Sequence, residues 1–501
     1  MNKCSVVGCH PITNHTSLTS HPPMYCSFPA LYTDHYELTM VAAALRSGVA
    51  ERRAVFEVFT RSLPAGRAYG IVAGIDRVLD AVRRFHFTST VVDHLTKMGI
   101  AKDPDVADWL SSYRFKGDII GYPDGELFFP RSPILTVEGE FAECVVLETV
   151  VLSILNHDCA VASAAARMRS AAGNRIILEG GSRRTDPEAA VAAAKAAYIG
   201  GFDATSNLEA GRRWNIPTGG TASHAFVLAH NNECDAFTAQ RNTLGEDSTY
   251  LVDTLDVDKA IHKAVEVVGS DIGAIRIDSG NLYNRSVEAR ALLDKLGASK
   301  CRIVVSGDLD EFKIAELEKK KAPVNAYLVG TNLVTGSGHP TASMVYKLVA
   351  ISDCDDNKNS NPNSSMRSVG KLSAEKATIG GRKQALRTID TDGFLLSETL
   401  QPANFEQPDS SYTEEGEASD FAGSIPANFE QPNSSYTPQV LMVSKGKVVY
   451  TSNTEAARQL CAKRLKTLQR CDRLVNPLNT PAVPTLWAGW DNEPNLENHD
   501  R

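Results

Sequence analysis

The hydrophobic pattern between residues 175 and 329 alternates between short apolar runs and longer amphipathic segments. Short runs rich in β-branched residues predict strands, and the amphipathic segments between them predict helices. Such alternation favours parallel βα units, in which helices cover the faces of one sheet. The predicted strands are 175–178, the neighbourhood of Ala204, 216–218, 249–253, 274–277, 302–305 and 326–329, and the predicted helices are 187–199, 257–268, 286–296 and 310–320.

The segments before residue 175 predict a second, mixed part of the protein. Residues 1–25 combine Cys, His, Pro, Ser and Thr without periodicity, which predicts a disordered leader. A helix is predicted to begin at Thr33 or Asp34, because either side chain can cap it and Glu37 follows in the first turn. Beyond it the pattern predicts a strand at 54–59, helices at 75–85 and 105–113, short strands within 117–140 and two helices within 142–171.

The character of the chain changes again after residue 350. Residues 353–368 are rich in Asn, Ser and Asp, which is typical of a linker or an insert. The segment 402–413 recurs at 426–437 with a single difference, Asp409 against Asn433. Two copies of a polar, Pro-containing sequence cannot stack into a core, so we interpret them as a duplicated surface loop rather than a solenoid.

The chain has 501 residues, which is too long for one ordinary domain, so two or three domains are expected. The predicted parts are a leader at 1–25, an N-terminal α/β sandwich part at 26–145, an α/β barrel at 146–350, a C-terminal part at 351–475 with a hairpin at 439–450 and a basic amphipathic helix at 454–470, and a tail at 476–501.

Composition excludes several classes of protein. Hydrophobic residues make up 43% of the chain and charged residues 22%, which is ordinary for a globular protein in water. The net charge of −8 argues against a nucleic-acid-binding protein, which would carry a basic surplus. The chain contains no run of 18 apolar residues, so no membrane span is predicted, and the N-terminus lacks the apolar stretch of a signal peptide.

The cysteines indicate a reducing compartment. Ten of them are scattered along the chain without a Cys-x-x-Cys pair, which predicts reduced, mostly buried thiols in a cytoplasmic protein. The tightest group consists of Cys4, Cys9 and His10. It lacks a convincing fourth ligand, so a structural zinc site is not predicted there.

Polar clusters follow four of the predicted strands. In parallel βα folds the carboxyl ends of the strands meet at one edge, so these clusters are expected to share one site. Together they supply arginines, a histidine, aspartates and many backbone N–H groups, an inventory that suits an anionic, phosphate-bearing substrate. The clusters are 180–184, 219–224, 276–280 and 306–308.

Three further features each have two interpretations. The glycines and hydroxyls of 329–338 can cradle a phosphate, or they form an ordinary turn. Asp278 and Asp308 can bind Mg²⁺ or ribose hydroxyls, or they cap the following helices. His224 follows a Gly-Gly-Thr turn, where a neutral imidazole can accept a proton or a phosphoryl group. Alternatively, it is a structural histidine that packs beside Phe226.

These runs together resemble those of nicotinate phosphoribosyltransferases over roughly residues 28–350. The resemblance implies an irregular TIM-like α/β barrel with a second α+β domain built from N- and C-terminal segments, in a homodimer. It also implies a reaction in which nicotinate and phosphoribosyl pyrophosphate give nicotinate mononucleotide and pyrophosphate, coupled to hydrolysis of ATP with Mg²⁺. The runs that carry it are 33–36, 178–185, 200–207, 220–226, 276–280, 306–311, 329–336 and 341–348.

The resemblance assigns roles around the base and the phosphoryl group. His224 matches the histidine that the family phosphorylates transiently, and Asp278 is expected beside it as a catalytic carboxylate. Thr221 and Arg276 match contacts to nicotinate, and an arginine suits a carboxylate because it forms paired hydrogen bonds. Tyr36 matches an aromatic residue that stacks on nicotinate across the dimer interface.

The resemblance also assigns the binding of phosphoribosyl pyrophosphate. Gly307, Gly330 and Thr331 match a phosphate cradle that is built from backbone N–H groups and a hydroxyl. Arg183 and Arg184 fit the side of the site that holds pyrophosphate. No residue is assigned to a metal from the sequence.

Two positions depart from the family pattern. Asn281 stands where an Asp usually follows Asp-Ser-Gly, and Leu328 stands where a Gly is common. These departures leave open a non-catalytic homologue that acts as a binding protein, and a nicotinamide-using relative is a second alternative. Both His224 and Arg276 are present, and an arginine aimed at the ring substituent favours the acid over the amide.

Overall fold

A computed structural model describes residues 29–353, 366–371, 377–403, 433–473 and 481–489. The predicted leader, residues 354–365 of the insert, residues 404–432 of the duplicated segment and the tail from Asn492 lie outside the described residues. The predictions for those segments therefore stay predictions.

The described strands reproduce the predicted alternation. In chain order they are β1 (Arg53–Thr60), β2 (Gly70–Ile71), β3 (Asp118–Gly121), β4 (Leu127–Phe128), β5 (Leu135–Glu140), β6 (Ile176–Glu179), β7 (Ala204–Thr205), β8 (Thr249–Leu251), β9 (Ala274–Ile277), β10 (Arg302–Val305), β11 (Ala326–Val329), β12 (Met344–Ser352), β13 (Met366–Ser368), β14 (Lys383–Ile389), β15 (Leu395–Pro402), β16 (Ser435–Tyr436), β17 (Val440–Ser444), β18 (Lys447–Val448) and β19 (Thr485–Trp487).

A 3-10 turn at Pro29–Tyr32 precedes the helices. In chain order these are α1 (His35–Ser47), α2 (Ile75–Arg84), α3 (Ser89–Met98), α4 (Pro104–Ser112), α5 (Phe141–Val145), α6 (Glu148–Ala172), α7 (Pro187–Ile199), α8 (Leu208–Trp214), α9 (His224–Leu228), α10 (Glu233–Leu244), α11 (Val257–Val268), α12 (Leu282–Lys295), α13 (Glu311–Lys319), α14 (Thr331–Val334), α15 (Thr454–Lys466) and α16 (Arg470–Arg473).

Local side chains explain where many of these helices begin. Asp34, Asp186, Asp256 and Asp310 each accept a hydrogen bond from a backbone N–H in the first turn of the following helix. Pro187 occupies the first turn of α7, where its missing N–H costs nothing. These signals are local, so the helix starts could be predicted from the sequence.

Strands β6 to β11 form one curled, six-stranded sheet in the order β7-β6-β11-β10-β9-β8. Every adjacent pair is parallel, so all six carboxyl ends lie at the same edge. The predicted strand at 216–218 contributes only an isolated bridge between Thr205 and Thr218. Pro217 has no N–H with which to extend that ladder, which explains why no strand forms there.

The chain divides into two compact units, one of which is Val161–Pro340 with the parallel sheet. The six parallel strands, from Ile176 to Val329, lie within the segment 146–350 predicted as the barrel, and the exact boundaries stay predictions. Strand β12 pairs antiparallel with β1, and this pairing places residues after Pro340 in the other unit. The prediction of an α/β barrel fold with a second α+β domain is confirmed.

The second unit interleaves N- and C-terminal segments in a seven-stranded antiparallel sheet, ordered β13-β12-β1-β5-β3-β17-β18. Strand β1 lies between β5 and β12, so it hydrogen-bonds to both a near and a distant part of the chain. A four-stranded sheet, β16-β14-β15-β19, completes the strands contributed by the C-terminal segment.

A buried ionic cluster connects the two segments of this unit. Arg387 is fully buried and lies 2.6 Å from Glu126 Oε1 and 2.7 Å from Glu398 Oε2. Arg464 Nε donates to the other Glu126 oxygen at 2.6 Å, and the hydroxyl of Tyr122 donates to Glu398 at 3.1 Å. Because opposite charges and hydrogen bonds satisfy the carboxylates, the cluster can be buried without leaving an unpaired charge.

One described segment, Phe141–Ala172, is long and apolar enough to cross a membrane by length and composition. Of its most apolar window, 67% is buried inside the protein. Such burial is typical of a core helix.

Candidate functional site

Two polar residues of the candidate site, Arg276 and Ser306, lie on the same face of the parallel sheet. The hydroxyl of Tyr327 on β11 donates to Glu318 of α13 at 2.6 Å, so the face of Tyr327 is covered by helices. Side chains alternate along a strand, so residues such as Leu328 lie on the opposite face, here called the inner face. Arg276 and Ser306 belong to the inner face by the same alternation and by the registered pairing of β9, β10 and β11.

Arg276 lies at the centre of a hydrogen-bonded network on the inner face. Its Nε donates to Ser306 Oγ at 2.9 Å, and its Nη2 donates to Asp278 Oδ1 at 3.0 Å. Its Nη1 donates to Thr221 Oγ1 at 3.3 Å. Ser306 also donates to Asp278 Oδ1, so the two acceptors are themselves connected. This arrangement fixes the plane of the guanidinium and leaves one N–H on each terminal nitrogen for a ligand.

The carboxylate of Asp278 is held in its ionised form. Burial alone raises the pKa of Asp278, but the Ser306 hydroxyl, Arg276 and His224 outweigh it and lower the pKa below its ordinary value. Asp278 is therefore a weak proton acceptor near neutral pH. In this structure its main contacts orient Arg276 and face His224.

His224 stands at the start of α9, beside this network. Its Nδ1 lies 3.1 Å from the hydroxyl of Thr254, and its Nε2 lies 3.9 Å from Asp278 Oδ2. The side chain is 43% exposed, so a ligand can reach it. Both ring nitrogens thus have polar neighbours, and the functional role of His224 stays a prediction.

Three residues at the strand ends have roles that the sequence did not assign. Asp253 Oδ2 accepts from the backbone N–H of Asp278 at 2.6 Å and thereby sets the turn after β9. Its Oδ1 is buried without a hydrogen-bond partner among the described residues. Asp253 follows the short apolar strand β8, and a carboxylate after an apolar strand is the same signal that identified Asp278. The predicted strand 249–253 includes Asp253, so the sequence did not place this residue at a strand end. Ser306 belongs to the predicted cluster 306–308, but its contacts with Arg276 and Asp278 depend on the neighbouring strand β9. Thr254 carried no comparable signal.

Gly307 follows β10 with φ 107°, a backbone conformation that disfavours side chains. A Cβ at this position would lie 2.4 Å from the carbonyl oxygen of Asp278. The close approach brings the backbone after β10 against the backbone after β9. The predicted cradle residue is therefore a glycine for a steric reason as well as a conformational one.

Gly307→Ala is expected to lower the melting temperature more than Gly297→Ala. Gly297 has φ 81° with open space around its Cβ position, so alanine there adds strain alone, about 1–3 kcal/mol. Gly307→Ala adds the clash with Asp278 to that strain. Differential scanning calorimetry of both variants measures the difference, and equal melting temperatures would show that the turn relaxes freely.

Gly330 and Thr331 lie at the carboxyl end of β11, as predicted for a phosphate cradle. The backbone N–H of Gly180, after β6, donates to the carbonyl of Val329 at 2.8 Å and joins the two strand ends. The buried carboxylate of Glu179 accepts from Gly181 N and from the hydroxyl of Thr205, which holds the turn after β6 in place.

Arg183 and Arg184 lie in that turn, and both side chains are exposed. Within the described part of the chain, neither guanidinium makes a hydrogen bond or an ion pair. The turn is fixed by the bond from Arg184 N to the carbonyl of Gly181 at 2.8 Å. The two cations are thus carried at the site edge of the sheet and are available to an anionic ligand.

Tyr36 belongs to the other unit, where it lies in the first turn of α1 and is 45% exposed. Burial of its hydroxyl raises the pKa of Tyr36, and the nearby negative charges of Glu148 and Glu37 raise it further, to about 12. Tyr36 is therefore uncharged at neutral pH and presents an aromatic ring to solvent. The structure brings Thr221, His224, Arg276 and Asp278 into one network, and it keeps Tyr36 outside that unit.

Comparison with known proteins assigns the fold. The structure superimposes on human nicotinic acid phosphoribosyltransferase with a TM-score of 0.71 and 24% identity, over 90% of this chain and 97% of that one. It superimposes on the nicotinate-nucleotide pyrophosphorylase of Pyrococcus furiosus with a TM-score of 0.67 and 20% identity, over 91% and 99% of the chains. The fold is therefore the one that these two solved structures share.

Sequence similarity identifies the family, which structural similarity alone does not. The model of the nicotinate phosphoribosyltransferase N-terminal domain matches residues 31–156. A nicotinate phosphoribosyltransferase of Mycobacterium tuberculosis is 48% identical over 463 residues, which cover 91% of this chain and 94% of the relative. The Bacillus subtilis enzyme of the same name is 36% identical over 371 residues, or 72% and 73% of the two chains. This chain belongs to the nicotinate phosphoribosyltransferase family.

Proposed function

We propose that the protein forms nicotinate mononucleotide and pyrophosphate from nicotinate and phosphoribosyl pyrophosphate, as a step of NAD salvage. The proposal rests on the geometry of the Arg276 guanidinium. Three hydrogen bonds fix its plane, and one N–H on each terminal nitrogen stays available for a ligand. Membership of the family supports the same reaction. A carboxylate can accept both N–H groups at once, which a carboxamide cannot match in charge or in geometry.

The bond-breaking step develops positive charge on the ribose C1 and negative charge on the pyrophosphate that leaves. Arg183 and Arg184 are available cations at the site edge of the sheet, so they would stabilise the leaving group. The backbone N–H groups around Gly307 and Gly330, with the hydroxyl of Thr331, would hold phosphate oxygens. Asp278 would act by holding Arg276 and by stabilising positive charge, since its lowered pKa makes it a poor base.

We further propose that ATP is a co-substrate and that His224 accepts its phosphoryl group. The side chain is accessible and stands beside the Arg276 network. A phosphohistidine there would change the charge of the site and so couple hydrolysis to the affinity for phosphoribosyl pyrophosphate. The fixed hydroxyl of Thr254 would hold the imidazole in one orientation during the transfer.

Mg²⁺ fits the donor set at the strand ends. No group of three His, Cys, Asp or Glu side chains that could hold a metal occurs within the described residues. Mg²⁺ is commonly bound by one or two carboxylates together with substrate phosphates. The buried, unsatisfied Oδ1 of Asp253 is such a carboxylate oxygen, so Asp253 would hold the ion. The ion would neutralise charge on the phosphates.

One assay tests the reaction. Purified full-length protein is incubated with phosphoribosyl pyrophosphate and either nicotinate or nicotinamide, with and without ATP, and mononucleotide formation is followed by chromatography. Nicotinate mononucleotide that forms faster with ATP is the expected product. Preferential use of nicotinamide would favour the nicotinamide-using alternative. Binding of nicotinate without turnover would favour a binding protein.

Arg276→Ala is expected to raise the KM for nicotinate roughly 30- to 150-fold, because losing a charge-assisted hydrogen-bonded pair costs on the order of 2–3 kcal/mol. The KM for phosphoribosyl pyrophosphate should change far less. Arg276→Lys is the matched control, because lysine keeps the positive charge but cannot form the paired hydrogen bonds of a guanidinium. Its KM for nicotinate should lie between those of the wild type and Arg276→Ala. Equal effects on both substrates would contradict the assignment.

We also propose a cytoplasmic homodimer. The six described cysteines are thiols rather than disulfides, which suits a reducing compartment. Leu31, Tyr32 and Tyr36 form an exposed apolar cluster near the start of the described chain, a surface suited to a second copy. Light scattering coupled to size exclusion should give the mass of a dimer, and Tyr36→Ala should raise the KM for nicotinate.

A further inference from the structure

Two leucines on the inner face of the parallel sheet lie beside the Arg276 network. Leu328 on β11 pairs in register with Leu178 on β6, so both side chains emerge on the same face. Tyr327 pairs with Val305, which places Leu328 alongside Ser306. Both leucines are only partly buried, whereas their neighbours along the strands are fully buried against the helices.

The contact of Arg276 with Ser306 places the guanidinium next to β10, the strand that adjoins β11 and Leu328. At one end the guanidinium bonds Ser306, which follows β10. At the other it bonds Thr221, which follows a segment bridged to β7 through Thr218. In the sheet order, β11 and β6 lie between β10 and β7. On the inner face, Ser306 at the end of β10 is therefore followed by Leu328 on β11 and then by Leu178 on β6.

The side chain of Leu328 also packs against the backbone of the turn after β6. A Cβ at Gly180 would lie 2.7 Å from Leu328 Cδ1, so the isobutyl group covers the Gly180 backbone. The inner face thus carries an apolar half, formed by the two leucines, next to a cationic half, formed by Arg276.

We propose that Leu328, together with Leu178, forms the apolar wall against which the ring of the substrate packs, and that this wall determines specificity. The inference rests on the proposed function and extends it. The substrate class is a single flat aromatic ring with one carboxylate, because the carboxylate binds Arg276 and the ring covers the leucines. Mostly apolar walls with a few placed polar groups are the general form of small-molecule sites.

The same wall rejects a second charge on the ring. A second carboxylate against Leu328 would be desolvated without a partner, which is strongly unfavourable. The ionised Asp278, which follows β9 two strands away, adds repulsion. A pyridine-2,3-dicarboxylate is therefore expected to be excluded, although it carries the same ring and one carboxylate in the same position.

Steady-state kinetics of full-length Leu328 variants test the wall. Leu328→Ala should raise the KM for nicotinate about tenfold, since it removes part of the apolar contact. Its KM for phosphoribosyl pyrophosphate should stay within about twofold, and Leu328→Met, which conserves volume, should raise the KM for nicotinate less than Leu328→Ala does. Leu328→Lys should increase the ratio of dicarboxylate to nicotinate turnover. Leu328→Val replaces Leu328→Ala if circular dichroism shows that the latter is unfolded.

The outcomes separate the two proposals. If the wild-type protein neither forms nicotinate mononucleotide nor binds nicotinate by calorimetry, both the proposed function and the proposed role of the leucines are contradicted. If the wild-type protein is active but Leu328→Ala leaves the nicotinate KM unchanged, or raises both KM values equally, only the wall is overturned. An unchanged substrate ratio in a folded Leu328→Lys variant would likewise overturn it.

Discussion

Replacing His224 with alanine is expected to abolish the label that γ-labelled ATP leaves on the protein. A phosphoryl group would add a charge of about −2 next to Asp278, so it needs cationic partners, which Arg183, Arg184 and Mg²⁺ would supply. The wild-type label should be labile in acid and stable in alkali, as phosphohistidine is. Labelled protein separated by gel electrophoresis after acid and alkali treatment gives the measurement.

His262→Ala is the matched control, because His262 is an exposed histidine of the same unit on α11. The control should take up label like the wild type. In the His224→Ala variant, product formation should continue slowly and without stimulation by ATP, since Arg276 and the phosphate contacts remain. A His224→Ala protein that keeps both its label and its ATP stimulation would show that another residue accepts the phosphoryl group.

Arg387→Ala is expected to lower the free energy of unfolding by about 3–5 kcal/mol. The substitution leaves both carboxylates buried beside a cavity, Glu126 with Arg464 as its cationic contact and Glu398 with the hydroxyls of Tyr122 and Ser132. Burial lowers the pKa of Arg387, but Glu398 and Glu126 outweigh it and raise that pKa well above its ordinary value, so the guanidinium is charged in the folded state. Urea denaturation followed by circular dichroism gives the change.

Arg46→Ala is the control for this prediction. Arg46 also contacts a carboxylate, Asp103, at 2.9 Å, but its side chain is 76% exposed, so its loss should cost less than about 1 kcal/mol. The double variant Arg387→Met with Glu398→Gln should recover part of the stability, because it removes the uncompensated charge. A loss at Arg387 no larger than at Arg46 would show that water or rearrangement satisfies the two carboxylates.

The accuracy of the sequence prediction was greatest where the signal is local. Strands Ala274–Ile277, Arg302–Val305 and Ala326–Val329 and helices Pro187–Ile199 and Val257–Val268 have the bounds predicted from the hydrophobic pattern. Helix α12 begins at Leu282 rather than at 286, because the side chain of Asn281 accepts from Asn284 N and caps it earlier. That cap gives Asn281 a structural role.

Several members of the candidate site could be predicted from the sequence, but the contacts between them could not. Arg276 and Asp278 could be chosen because polar residues after buried parallel strands collect at one edge. That Ser306 bonds both of them depends on β10 lying next to β9, and no spacing in the sequence encodes this adjacency. Asp253 and Leu328 acquire their roles in the same way, through neighbours that are distant along the chain.

By itself, the sequence determined the alternation of strands and helices, most of the helix starts and the candidate residues of the site. Hydrophobic periodicity and helix caps act over a few residues, so they can be read locally. Only the tertiary structure decided the strand order, the division at Val161 and Pro340, and the partners of Arg276. Those outcomes depend on contacts between residues far apart in the chain, and the free energy of such contacts exists only once the sheet has formed.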